Sequence, residues 1–137
     1  MSQENKKDSL RLGDRPSRPS FREAFRRAAE QVELQCSEPI EKDHLRELCY
    51  IIAEVYMFDP DSRIKISDEI IDAYLVQEIF EELELEHLRL VWANFSAQTR
   101  LIRNKRAYLR TALYNSVFEL NAHFTNLVTR DLAGDGT

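Results

Sequence analysis

The chain has only three Gly, four Pro and two Cys in 137 residues. No Gly falls between positions 14 and 133, which argues against a glycine-rich loop cradling a phosphate. Cys36 and Cys49 are too few for a disulfide framework, lack CxxC spacing, and stand in no Cys/His cluster of zinc type. Cys49 falls on an apolar stripe, where a small buried thiol is expected, and Cys36 at a helix end. No apolar run approaches the roughly 20 residues that span a bilayer. Met1 to Lys7 lead into no hydrophobic segment of the kind a signal peptide carries. The expectation is a soluble, cytoplasmic protein without a cofactor. No strand–turn–helix context supports a Ser–His–Asp site.

Apolar residues make up 43% of the chain, enough for a folded body, and the abundance of Leu, Glu, Arg and Ala favours helix. The net charge of −5 is unevenly spread. Residues 1–27 hold eight cations against four anions, residues 28–96 five against seventeen, and residues 97–137 six against three. Basic ends flank an acidic middle, a distribution that suits protein docking at least as well as nucleic acid.

Periodicity predicts an all-α bundle of about five helices behind a disordered basic arm, residues 1–19, with a helical interaction domain over 20–132 and a short tail, 133–137. Ser20 and Glu23 form a capping box that starts a helix near 21–34, with Phe21, Ala24, Phe25, Ala28 and Val32 on its apolar stripe. Leu45, Leu48, Cys49, Ile52, Val55 and Tyr56 mark a core helix near 41–57. Arg63 to Ser67 alternate at period two and predict a brief extended segment. A third helix is expected near 68–80, burying Ile70, Ile71, Tyr74 and Leu75. A fourth follows a break near 82–84, with Leu88, Val91, Trp92 and Phe95 packed inward. Glu78 to Glu86 form an acidic surface. A last helix is expected after a capping box at Ser116 and Glu119, with Leu120, Phe124, Leu127 and Val128 inward. His123 reads as structural.

The stretch from Leu101 to Asn115 organises the rest. Asn104 is a good N-cap and Asn115 tolerates the left-handed conformation after a last turn, which predicts a compact helix over 105–114. The apolar positions of the stretch, Leu101, Tyr108, Leu109, Ala112 and Leu113, fall at helical spacing, while Arg103, Arg106 and Arg110 recur on another face. Lys105 and Arg106 occupy the first turn, where the helix dipole disfavours cations and an anion would offset the cost. The candidate partner-binding residues are Arg100, Arg103, Asn104, Lys105, Arg106, Arg110 and Tyr114.

The run Ile102-Arg103-Asn104, Tyr108-Leu109 and Thr111 to Asn115 resembles the C-terminal domain of replication initiator proteins of plasmids and conjugative transposons of Gram-positive bacteria. The likeness extends through Arg63 to Ile66, Phe80, Leu83 and His87-Leu88, covering roughly residues 45–132. It implies a DnaD-like helical fold, no catalytic activity, and recruitment of replication proteins, primase first and a helicase loader second. DnaD-like domains carry a tyrosine, an aliphatic residue and a tryptophan at four-residue steps; here Tyr108 is followed by Ala112 and Ser116, a departure from that single-stranded DNA-binding pattern.

Two other classes compete. The Arg103/Arg106/Arg110 face could contact DNA weakly. Glu41-Lys42-Asp43-His44 and Glu84-Leu85-Glu86-His87 both match the Glu-x-x-His pair of di-metal bundles, which also need an inward Glu from each of two further helices. No such Glu is evident here, so coincidence is the better reading.

Overall fold

A computed structural model describes residues 18–135, with side chains through Leu120. The expected disordered arm, apart from its last two residues, and the inward positions Phe124, Leu127 and Val128 lie outside what is described. Five α-helices and one β-hairpin make the fold: α1 (Phe21–Gln31), α2 (Pro39–Met57), β1 (Arg63–Ile66), β2 (Glu69–Asp72), α3 (Ala73–Phe80), α4 (Leu85–Ser96) and α5 (Lys105–Asp135). A 3-10 turn, Leu34–Cys36, joins α1 to α2. No helix is long and apolar enough to cross a membrane among the described residues.

The centre is α2. All six residues of its predicted stripe are buried, and so are Ile51 and Ala53, so the buried face is wider than the stripe. It packs against α1, α3, α4 and α5. Helix α1 begins as expected: the Ser20 amide donates to the Glu23 carboxylate at 2.9 Å, and the Glu23 amide donates to the Ser20 hydroxyl at 3.2 Å. It ends at Gln31, short of the predicted 34, because Glu33 turns left-handed at φ 56°.

Two expectations are corrected. The segment 68–72 is a turn residue followed by the strand Glu69–Asp72, not the start of a helix. Ile64 and Ile66 are buried, and β1 finds its partner in β2, with Ile64 opposite Ile71 and Ile66 opposite Glu69. Two isoleucines in the returning segment suit a pleated edge. The helix therefore starts at Ala73, and its inward face is Ala73, Val76 and Phe80. Ile70, Tyr74 and Leu75, predicted to be buried, are exposed.

The second correction concerns Asn115. Helix α5 runs through it without a break, to Asp135. Leu109, Leu113 and Val117 are buried at successive four-residue steps, so the stripe stays in phase across the supposed boundary. Ser116 caps nothing; it is buried, and its hydroxyl donates back to the Leu113 carbonyl at 2.7 Å. The predicted break between α3 and α4 stands, spanned by Glu81 to Glu84 with Leu83 buried.

Two glutamines clip helix ends together. Gln77 donates to the carbonyls of Val55 and Phe58, at 3.0 and 2.9 Å, where α2 finishes. Gln31 donates to Phe80 and Leu83, at 2.8 and 2.9 Å, where α3 finishes, and accepts from the Tyr56 hydroxyl at 2.5 Å. Arg27 covers the Tyr56 ring at 3.8 Å and pairs with Glu81 at 2.5 Å. Replacing Gln31 by Leu leaves the Leu83 carbonyl and the Tyr56 hydroxyl without these partners, while the Phe80 carbonyl keeps the Leu83 amide, and should cost about 2 kcal/mol in urea unfolding, given roughly 1–3 kcal/mol per unsatisfied buried group.

His87 supplies a pH dependence. Its Nδ1 accepts from the Glu84 amide at 2.9 Å, so the neutral ring carries its proton on Nε2, which is buried without a partner among the described residues. Burial holds its pKa below the usual 6.5, against the opposing pull of Glu84, Glu82 and Glu86. The unfolded chain takes up this proton first, so the stability His87 contributes is complete above pH 6.5 and is lost as pH falls from there through the folded value. Chemical denaturation between pH 6.5 and 5 should show that slope, and His87→Gln should flatten it.

Candidate partner-docking site

Helix α5 starts where its sequence requires: the Asn104 side-chain oxygen accepts from the Ala107 amide at 3.0 Å. The two cations of the first turn meet carboxylates from α2. Lys105 pairs with Glu47 at 2.7 Å, and Arg106 pairs with Glu54. The anions that this helix end calls for are thus supplied from within the chain. Lys105 also lies 5.7 Å over the Trp92 ring and 5.3 Å over Phe95, in a row of rings running His44, Trp92, Phe95, Tyr108.

Arg110 is different. It is half-buried, and its Nε is enclosed with no hydrogen-bond acceptor among the described residues. Burial, then the neighbouring Arg106, press its pKa down from the usual arginine value, yet a guanidinium stays charged at any physiological pH. It faces a groove of about 800 Å3 between the start of α1, the end of α2 and the first turns of α5. Arg18, Arg106 and Arg110 supply its cationic groups, Glu54 and Asp59 its anionic ones. Phe21, Met57, Phe58 and Ala107 give it apolar walls.

The seven candidate residues therefore divide. Asn104, Arg106 and Arg110 share the groove. Lys105 turns to Glu47 and the ring row. Arg100 and Arg103 are exposed in the loop before α5, outside the groove and in no ion pair among the described residues; Leu101, expected on the apolar stripe, lies in the same loop ahead of the helix and is exposed too. Tyr114 lies further along α5, half-buried with its ring 5.3 Å from Phe118.

The apolar walls were not legible as a site. Phe21 fits the α1 stripe by spacing, yet it is 43% exposed and clusters with Phe25 and Tyr50 beside the groove. Arg18 belongs to the segment expected to be a disordered arm. The one available signal was Met57-Phe58 at the end of the core helix, apolar residues placed where the chain turns outward.

The two Glu-x-x-His pairs are used structurally. Glu41 accepts from Arg89 through Nε and Nη2 and from the Glu38 amide, which hold its carboxyl below the usual range. His44 stacks on Trp92 with centroids 4.4 Å apart, and His87 receives the Glu84 amide. No group of three or more metal-ligating side chains stands together among the described residues. The acidic surface is partly engaged too, Glu81 by Arg27 and Glu86 by Arg89.

Replacing Glu54 by Gln should remove the anion that Arg106 meets at the helix start. We expect a loss of about 0.5–1 kcal/mol in thermal unfolding, the size of a helix-terminus charge effect, with less loss in high salt.

No curated protein and no solved structure matches this sequence. A family profile does, over residues 16–135, which takes in the capping box of α1, the groove and the whole of α5. The chain thus belongs to a family of unknown function, DUF6017.

Proposed function

We propose that this chain is a non-catalytic docking domain of replication-initiator type, which recruits a replication protein, primase first and a helicase loader second. The observation that carries the reading is the division of labour within the stretch that bears the resemblance. Leu109 and Leu113 are fully buried, while Arg103, with Arg100 beside it, is exposed and without an ion-pair partner among the described residues. Two exposed cations on the approach loop are free to meet a partner's carboxylates. Protein rather than nucleic acid is favoured because Glu47 and Glu54 already neutralise Lys105 and Arg106, leaving a broken rather than continuous cationic stripe.

Arg100→Glu with Arg103→Glu leaves every described contact in place, so helicity and melting temperature should be unchanged. Binding of the purified wild-type chain to primase or to a helicase loader should weaken at least tenfold in this variant, as measured by calorimetry. If neither protein binds the wild type, the replication assignment fails; if the variant binds equally well, the loop is not the contact. Tight binding to a single-stranded oligonucleotide that falls steeply with salt would favour DNA instead.

A further inference from the structure

We infer that the groove beside α5 is a peptide-binding site, and that its occupant is a partner-protein segment carrying a carboxylate next to a bulky apolar side chain. This rests on the docking reading above and names what is recognised. The groove volume, about 800 Å3, lies in the range of ligand sites and is far larger than a single ion needs. Its walls, Phe21, Met57 and Phe58, offer apolar surface to a side chain. Phe21 is 43% exposed despite following a capping box that holds it in place, so a large ring is presented to the groove at fixed position.

The charge in the groove selects the ligand. Glu54 satisfies Arg106, but Arg18 and Arg110 have no ion-pair partner among the described residues, and the Nε of Arg110 is enclosed without an acceptor. The Arg110 Nε is itself closed to solvent, so it is the remaining guanidinium nitrogens of Arg18 and Arg110 that a planar, two-oxygen carboxylate meets in the groove. Glu54, although paired with Arg106, and Asp59 line the same groove and would repel a chain of phosphates, whereas a peptide with one or two carboxylates among apolar residues meets the cations without crowding the anions.

A phage-displayed library of random 12-residue peptides, selected on the full chain, tests this. Recovered peptides should be rich in Asp or Glu beside Leu, Phe or Trp. The best of them, labelled with fluorescein, should bind at least tenfold more weakly to Arg110→Gln and to Arg18→Glu, and its Asp→Asn and Glu→Gln version should bind the wild type at least tenfold more weakly. Arg18 is exposed, so its variant reports on the groove even if Arg110→Gln lowers stability. No enrichment, enrichment of basic peptides, or binding unchanged in both variants overturns the inference. The failures are separable. Primase binding that is lost in the Arg100/Arg103 variant but intact in Arg110→Gln and Arg18→Glu leaves docking standing and removes the groove. Groove-dependent peptide binding, with no replication protein bound, removes the replication assignment alone.

Discussion

The rest of the fold depends on how α2 is surrounded. A helix packed against four others needs its terminal carbonyls satisfied, and its half-exposed acidic side chains gain from nearby cations. Gln77 meets the first demand at its C-terminal end. Lys105 and Arg106 meet the second at Glu47 and Glu54. Those same cations would be unfavourable in the first turn of α5 were no carboxylates near. Each helix thus offsets the other's electrostatic liability, next to the Asn104 cap that starts α5. Arg110, one turn further, lies beyond the reach of that compensation and faces the groove instead.

This arrangement sorts the positive charge of the C-terminal third into two kinds. Lys105 and Arg106 serve the fold, whereas Arg100, Arg103 and Arg110 are left with no anion among the described residues. Seen as sequence, all five belong to one basic cluster. Only the positions of Glu47 and Glu54, more than fifty residues upstream, distinguish them.

Most of the helical framework was legible because it rests on local signals: the Ser20 and Glu23 box, the six-residue stripe of α2, and the Asn104 cap. What failed depended on distant partners. The hairpin was half visible, since Ile64 and Ile66 alternate, but β2 declares itself only when paired with β1. Ser116 and Glu119 satisfy the pattern of a capping box, yet the phase of Leu109, Leu113 and Val117 overrides it and keeps α5 continuous. Of the groove, the arginines on α5 could be read from sequence. Phe21, Met57 and Phe58 could not, because an apolar residue's exposure is decided by what the fold leaves uncovered.

The scarcity of cysteine leaves the molecule with two thiols in opposite surroundings. Cys49 is fully enclosed on α2, and burial raises its pKa to about 12. Cys36 is exposed at the end of the 3-10 turn. A thiol reagent reaches the second in the folded state and the first only when the helices around α2 separate. The native chain therefore contains its own reporter of global opening and the internal standard against which to time it.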